Sequence, residues 1–149
     1  TVGNLSPSTK LQYKLFKEKN PDFRLHTPGF VKNIHQYICA CDVQAGKAGA
    51  NSLMESLSLK RPFLISNLLY AAWPTTIFFE RRKVGWVENS VPKQVDILQQ
   101  YSLNPEAQQA MEEAFRLLPL TFDSDRFASM IIDDAKEVLR TKYKRTEIA

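Results

Sequence analysis

The segment from Cys41 to Glu55 constrains the fold of this chain more than any other part of the sequence. Its sequence is CDVQAGKAGANSLME, in which a short strand pattern is followed by small residues and then by a helical pattern. Small residues in such a turn let backbone N–H groups approach an anion, and the first helical turn adds further unpaired N–H groups. The segment therefore predicts a buried strand, a tight turn and a helix start, an arrangement that binds phosphate groups.

Individual side chains of this segment refine that prediction. Asn51 or Ser52 can cap the helix, and Lys47 adds a positive charge beside the turn. Glu55, one turn inside the helix, would reach a sugar hydroxyl of a nucleotide whose phosphates lie on the turn. Tight strand-to-helix turns need small residues for packing in any α/β domain, so a turn without a ligand is the competing interpretation.

Length and composition indicate an ordinary globular protein. The chain has 149 residues, of which 44% are hydrophobic and 24% are charged, so we expect one domain over residues 1–149. No apolar run is long enough to span a bilayer. The net charge of +4 would suit a phosphorylated ligand or peripheral contact with an anionic membrane surface, and it is too small and scattered to predict nucleic-acid binding.

Cysteine and histidine positions predict no metal site. Cys39 and Cys41 are two residues apart, a spacing that rarely closes a disulfide, and no further cysteine or clustered histidine completes a zinc site. We interpret both as reduced core thiols. The prediction is an intracellular protein, either cytoplasmic or peripheral at a membrane surface.

The rest of the sequence alternates strand and helix patterns. Strands are expected at Asp42 to Ala45, at Phe63 to Ile65 and, as a small edge strand, at Trp86 to Val87, with a further extended segment at Phe23 to Thr27. Helices are expected over Ser8–Lys19, Asn33 to near Cys41, Trp73 to a stop at Gly85, Lys93–Tyr101, Pro105–Leu118 and Ser124–Tyr143.

This alternation predicts an α/β fold with a Rossmann-like parallel sheet and helices on both faces. Ligands bind such sheets at the carboxyl ends of the strands. The turn predicted over Ala45 to Ser52 lies at one of those ends, so the phosphate-binding interpretation gains support. The alternative, that the small residues serve packing alone, stays open.

Several short motifs between Phe23 and Gly85 occur in the order and spacing of one enzyme family. They are GFV at Gly29–Val31 followed by Ile34, ACDV at Ala40–Val43, KAG at Lys47–Gly49, and then Ser52, Glu55 and Pro62. On these residues the chain resembles the C-terminal, nucleotide-sugar-binding domain of GT-B glycosyltransferases. That group includes monogalactosyldiacylglycerol synthases, bacterial diacylglycerol glucosyltransferases and the N-acetylglucosaminyltransferase that makes lipid II.

The resemblance implies a UDP-sugar as donor substrate, with no cofactor and no metal. By the resemblance, the backbone from Gly49 to Ser52 would hold the donor diphosphate, Phe30 and Val31 would lie against the uracil, and Glu55 would bind ribose hydroxyls. The implied site residues are Phe30, Val31, Lys47, Gly49, Ala50, Asn51, Ser52 and Glu55.

One part of the chain departs from the family pattern. Relatives carry a G-Q-E…N motif whose Gln and Asn bind the donor sugar, whereas this chain has Ala72-Trp73-Pro74 and Ile77 at those places. Neither Trp73 nor Ile77 supplies the amide hydrogen bonds that a hexose needs. Either the helix is ordinary core with Ile77 and Phe78 packed inward, or donor specificity has changed or sugar transfer has been lost.

The resemblance also implies a partner for this domain. In the family the acceptor site, the membrane-contacting surface and the candidate catalytic base belong to an N-terminal Rossmann-like domain. The abrupt opening at Thr1 leads us to expect a segment upstream, with the catalytic residues outside this chain and the chain alone inactive. It would be the donor half of an inverting enzyme with a lipid acceptor such as diacylglycerol, or one subunit of a split enzyme.

Two rival interpretations belong to other functional classes. In the first, the chain is a non-catalytic GT-B-like module with a degenerate sugar loop that binds a nucleotide or a protein partner. In the second, it is a structural α/β domain with no ligand.

Overall fold

A computed structural model describes residues 5–68 and 73–146, the last six of these by their backbone alone. In chain order the elements are α1 (Pro7–Lys19), α2 (Ile34–Ala40), β1 (Gln44–Lys47), α3 (Ala50–Ser58), β2 (Phe63–Asn67), α4 (Trp73–Arg82), β3 (Gly85–Val87), α5 (Val91–Leu103), α6 (Pro105–Arg116) and α7 (Ser124–Thr146). They fall into two compact units, Thr1–Leu117 and Leu118–Ala149. The prediction of one domain over residues 1–149 stays a prediction.

The first unit contains a three-stranded parallel sheet in the order β1-β2-β3. Phe63 of the central strand pairs with Gln44 on one side and with Gly85 on the other. The apolar run Phe63–Ile65 is buried, as expected for a parallel strand covered on both faces. These strands and the helices that flank them confirm the predicted Rossmann-like α/β fold, including the parallel pairing of the first two strands.

The boundaries of β1 differ from the prediction. The strand begins at Gln44 rather than Asp42, because Cys41 still caps α2 and the first ladder bond runs from the Gln44 N–H to the Pro62 carbonyl, at 2.9 Å. Pairing then continues past Lys47, since the Ala48 N–H donates to the Asn67 carbonyl at 3.0 Å. The turn predicted over Ala45 to Ser52 is thereby reduced to Ala48 and Gly49.

The core of the first unit forms where helices cover the central strand. Leu53 and Leu57 of α3 and Phe79 of α4 are buried, and the Phe63 and Phe79 rings meet edge to face with centroids 6.4 Å apart. Burying side chains of this size stabilises a fold by roughly 1.5–3 kcal/mol each. The core therefore holds α3 and α4 firmly against the sheet.

Gly85 does not end α4, as the sequence had suggested, and is instead the first residue of β3. The helix stops earlier because Lys83 adopts a positive φ of 55°. A Cβ on Gly85 would lie 2.3 Å from the Phe63 carbonyl oxygen, a distance that side chains do not tolerate. Glycine is required here for the close approach of two strands.

The segment Phe23 to Thr27, expected to be extended, is a bend followed by chain without regular secondary structure. One further local prediction is wrong. Asn33 precedes α2 but makes no capping bond to the backbone, because its side-chain amide donates to the Gln36 side chain instead. Asn104 does cap α6, accepting from the N–H groups of Glu106 and Ala107 at 3.0 and 3.1 Å.

The second unit contains α7. The apolar side chains of this helix are exposed at Phe127, Met130, Ile131, Ile132, Val138 and Leu139. Within the described ranges, no helix of the chain combines the length and the apolar character needed to cross a membrane.

Candidate functional site

The turn between β1 and α3 is built differently from the prediction. Gly49 occupies the N-cap position with φ −82° and ψ 130°, and the helix begins at Ala50. Asn51 and Ser52 lie inside the first helical turn, so the prediction that one of them caps the helix is wrong. The reason is the extended pairing of β1, which brings the helix start forward.

The first turn of α3 presents backbone N–H groups that no described side chain satisfies. Gly49 has no side chain to accept from them, and the first backbone bond back to the turn runs from the Leu53 N–H to the Gly49 carbonyl at 3.0 Å. Within the described residues, Ala50, Asn51 and Ser52 therefore keep unpaired amides at the positive end of the helix dipole. Such an end binds anions, phosphate groups among them.

The surroundings of Gly49 distinguish the two interpretations of the turn. Among the described residues, a Cβ at this position would meet only the Ser52 Oγ, at 3.8 Å, and its φ is negative. Neither packing against these residues nor backbone strain therefore requires glycine here, whereas Ala48 is fully buried and is a packing residue. The missing side chain leaves the first helical turn uncovered on the Gly49 side by the part of the chain that the structure describes.

Lys47 and Asn67 stand side by side at the carboxyl ends of β1 and β2. They are register partners, because the pairing skips Ser66 between Gly46 and Lys47, and both are exposed. Lys47 thus belongs to the strand rather than the turn. Its ammonium group and the Asn67 amide are available at the edge of the sheet where the α3 amides lie.

Glu55 lies on the same side of α3 as Ser52. The two residues are three positions apart and both are half-buried, while Leu53, Ser56 and Leu57 form the buried side. Among the residues with described side chains, no cation forms an ion pair with the Glu55 carboxylate. The carboxylate is free to accept hydrogen bonds from a ligand beyond the helix start.

Phe30 and Val31 lie in the loop that precedes α2. Gly29 enters this loop with a positive φ of 77°, which glycine adopts without strain. The Phe30 side chain is 78% exposed and Val31 is half-buried. In the described part of the chain no hydrogen bond joins either residue to the β1–α3 turn.

The start of α4 carries the residues at which the chain departs from the family pattern. Thr76 and Phe79 are the buried residues, and the Thr76 hydroxyl donates to the Trp73 carbonyl at 2.7 Å. Ile77 and Phe78 are half-buried, so neither is a fully buried core residue, and both alternatives for this helix stay open. Trp73 is 54% exposed, and Ala72 lies outside the described residues.

Glu88 also lies at the carboxyl edge and was missed by the sequence reasoning. It follows β3 directly, and its Oε1 accepts the Ser90 N–H at 2.8 Å while its carbonyl accepts from the Gln94 amide at 2.7 Å. A carboxylate directly after an edge strand was the available signal. These bonds occupy Glu88 in the chain segment that leads into α5.

The cysteines and histidines lie in different surroundings. Burial raises the pKa of the Cys41 thiol, which therefore stays neutral, and both cysteines are free. His26 stacks on Tyr37 with ring centroids 6.1 Å apart. Among the described residues, no group of histidine, cysteine and acidic side chains is arranged to hold a metal ion.

Comparison with known proteins adds no family assignment. Neither a model of a protein family nor a curated protein matches this chain.

Proposed function

We propose that this chain is the UDP-sugar-binding half of an inverting, metal-independent glycosyltransferase that acts on a lipid acceptor such as diacylglycerol. The observation that carries the proposal is the open helix start at Gly49. Among the described residues, the amides of the first turn of α3 have no partner, and neither packing nor φ requires the glycine in front of them. A parallel α/β sheet binds its ligands at this edge.

The proposed roles are those that the family resemblance implies, applied to the positions of these residues. The amides of Ala50, Asn51 and Ser52 would hold the donor diphosphate, with Lys47 supplying positive charge from the end of β1. Glu55 would accept from the ribose hydroxyls, as a charge-assisted hydrogen bond. Phe30 and Val31 would cover the uracil, for which an exposed aromatic ring is suited.

The proposed part of the chain in the reaction is electrostatic. In an inverting transfer, an acceptor hydroxyl attacks the anomeric carbon and the UDP diphosphate leaves with the bonding electrons. Negative charge then grows on the diphosphate, and a preorganised helix start stabilises it more strongly in the transition state than in the ground state. The base that takes the acceptor proton would come from an N-terminal domain or partner subunit, so the chain alone is expected to be inactive.

Calorimetry with UDP and uridine tests the proposal. We expect UDP to bind at least about thirtyfold more tightly than uridine, because several charge-assisted hydrogen bonds to the diphosphate are added. Equal binding of UDP and uridine, or no binding of either, would contradict it. UDP-glucose, UDP-galactose and UDP-N-acetylglucosamine complete the series.

A second candidate function is a non-catalytic nucleotide- or protein-binding module. The observation that favours it is Trp73, which is 54% exposed at the place where the family binds the sugar with an amide. Such a module would bind UDP and gain nothing from the hexose. The UDP-sugar series therefore distinguishes it from a sugar-specific transferase.

A further inference from the structure

A cavity of about 1060 Å³ opens at the amino-terminal edge of the sheet, opposite the edge that carries the β1–α3 turn. Its floor is formed by the residues that lead into β1 and β2, and its walls come from α5, α6 and the loop after α1. The volume reaches the upper end of the range found for ligand-binding sites in proteins. All lining residues belong to the unit Thr1–Leu117.

Arg61 is the central cation of this cavity. One N–H of its guanidinium, on Nη2, donates to the Cys39 carbonyl at 2.7 Å. Its Nε is shielded from water and has no acceptor in the part of the chain that the structure describes. A carboxylate in the cavity would therefore be bound through the remaining N–H groups of the guanidinium, as a charge-assisted hydrogen bond.

The other charged groups of the lining leave a surplus of one positive charge. Arg24 and Lys60 join Arg61, against the carboxylates of Asp42 and Glu112. The ion pairs among residues with described side chains are Lys14–Glu18, Glu113–Arg116 and Asp133–Lys136, none of which involves these five groups.

Tyr101 supplies a neutral hydrogen-bond donor between these charges. Burial raises the pKa of its hydroxyl, and the carboxylates of Glu112 and Asp42 raise it further. The hydroxyl therefore stays protonated at neutral pH and is available to donate to an anion.

The remaining walls are apolar. Leu98 on α5 and Met111 and Phe115 on α6 line one side, together with the exposed side chains of Val95 and Phe23. Val95 is 47% and Phe23 is 53% exposed, so apolar surface faces the opening as well as the interior. A ligand that covers these side chains would gain roughly 25 cal/mol for each Å² of apolar surface buried.

We propose that this cavity binds a monocarboxylate with an aliphatic or aromatic body. The carboxylate would accept from the Arg61 guanidinium and the Tyr101 hydroxyl, and the apolar body would lie on Leu98 and Met111. A single negative charge matches the surplus positive charge. The second charge of a dianion would be repelled by Asp42 and Glu112, and a protonated amine would be repelled by the three cations. The site is separate from the proposed UDP site and does not depend on it.

Calorimetry with compounds of equal chain length tests this proposal on the full chain. Octanoate is expected to bind at least about tenfold more tightly than octanol, octylamine or octyl phosphate. The position of the bound octanoate is checked by the fluorescence of Trp86, whose ring centroid lies 5.0 Å from that of Tyr101. A Trp73→Phe background leaves Trp86 as the one tryptophan of the sequence. No binding of octanoate, binding of all four compounds with similar affinity, or binding that leaves Trp86 fluorescence unchanged would overturn the proposal.

Variants of Arg61 and Tyr101 test whether these two side chains donate to the octanoate carboxylate. Arg61→Gln should remove the preference for octanoate over octanol, and Arg61→Lys should restore part of it. Because Arg61 also holds the Cys39 carbonyl, Tyr101→Phe provides a second variant that keeps the ring and should reduce octanoate affinity about threefold or more.

Arg116→Gln is the matched control, since Arg116 pairs with Glu113 on the exposed side of α6. It should leave octanoate binding unchanged, and thermal unfolding confirms that each variant is folded. Folded Arg61→Gln and Tyr101→Phe proteins that both keep the full preference would refute the assignment.

Discussion

The two edges of the sheet offer recognition of opposite kinds. At the carboxyl edge, backbone amides at the start of α3, beside a glycine, have no partner in the described part of the chain. At the amino edge, the groups that face the cavity are side chains, with Arg61, Tyr101 and Asp42 brought together from separate parts of the chain. A backbone site is lost only when something blocks it, whereas a side-chain site is lost when one group is removed. Substitutions should therefore act at the two edges by different routes.

Gly85→Ala should have the largest effect, because both edges share the central strand. The added Cβ would lie 2.3 Å from the Phe63 carbonyl oxygen, so we expect the free energy of unfolding to fall by at least about 3 kcal/mol. UDP binding and octanoate binding should weaken together. Urea unfolding monitored by tryptophan fluorescence measures the change.

The control is Gly46→Ala, where a Cβ would make an ordinary contact of 3.6 Å with the Phe63 ring. Its cost should be below about 1 kcal/mol. If Gly85→Ala unfolds at the wild-type urea concentration, the close approach of β3 to Phe63 is not as the structure shows.

Gly49→Val should separate the two edges. A branched side chain would fill the space before the amides of α3, and we expect UDP affinity to fall about a hundredfold, or about 3 kcal/mol. Stability should hardly change, because φ is −82° and the Cβ has room. Thermal unfolding with and without UDP measures both quantities.

Octanoate binding is the internal control for that variant and should be unaffected, since the cavity lies at the opposite edge. A Gly49→Val protein that keeps the full UDP-induced rise in Tm would show that Gly49 is not at a phosphate site.

Glu55→Ala should have a smaller effect at the carboxyl edge, because it removes one side-chain contact and leaves the amides in place. Loss of a charge-assisted hydrogen bond to ribose costs on the order of 1.5 to 3 kcal/mol, so UDP affinity should fall about tenfold or more. Calorimetry measures it.

The same variant should bind 2′,3′-dideoxy-UDP as the wild type does, since that ligand has no ribose hydroxyls to lose. Glu80→Ala, which removes an exposed carboxylate from α4, controls for the change in net charge. A loss of affinity that is equal for UDP and its dideoxy analogue would rule out a contact between Glu55 and ribose.

Discrimination among UDP-sugars should be the smallest effect. With Trp73 and Ile77 in place of sugar-binding amides, an unpaired hexose hydroxyl gains no hydrogen bond, and we expect affinities for the three UDP-sugars to agree within about fivefold, or about 1 kcal/mol. Competition calorimetry measures them. Trp73→Gln combined with Ile77→Asn should increase the discrimination.

A clear preference of the wild-type chain for one sugar would contradict this prediction. Thr76 cannot explain such a preference, because its hydroxyl is buried and donates to the Trp73 carbonyl. Asn67 is exposed at the end of β2 and would be the next residue to test, and Tyr70 lies outside the described residues.

The sequence was a good guide to the order of elements and a poor guide to their exact ends. The apolar run Phe63–Ile65 predicted the central strand correctly, because a strand buried on both faces has no alternative to apolar side chains. The predicted start of β1 was wrong because the strand begins where the Gln44 N–H finds the Pro62 carbonyl, a partner distant in sequence. The predicted cap of α3 was also wrong because of pairing with a distant strand. Pairing of β1 with β2 extends to Ala48, so the helix begins at Ala50 in spite of the capping preference of Asn51 and Ser52.

The two sites also differ in how far the sequence alone could predict them. The turn site was predictable in outline because its small residues are consecutive and carry a helix start with them. The cavity was not, because Arg24, Arg61 and Glu112 are far apart in sequence and only the parallel sheet with its covering helices brings them together. A sequence pattern identifies a backbone site directly, while a dispersed side-chain site requires the fold first.

The skipped residue in the pairing of β1 with β2 has a consequence for how the central strand leaves the sheet. Ser66 has no partner in β1. The pairing of Phe63–Ile65 with β1 ends before Ser66, and pairing resumes after it, between Asn67 and Lys47. An irregularity of this kind bends the strand that carries it and increases the local twist. The direction in which β2 leaves the sheet, beside the start of α3, is therefore set at Ser66, while the buried pairing of Phe63–Ile65 holds the central strand in place.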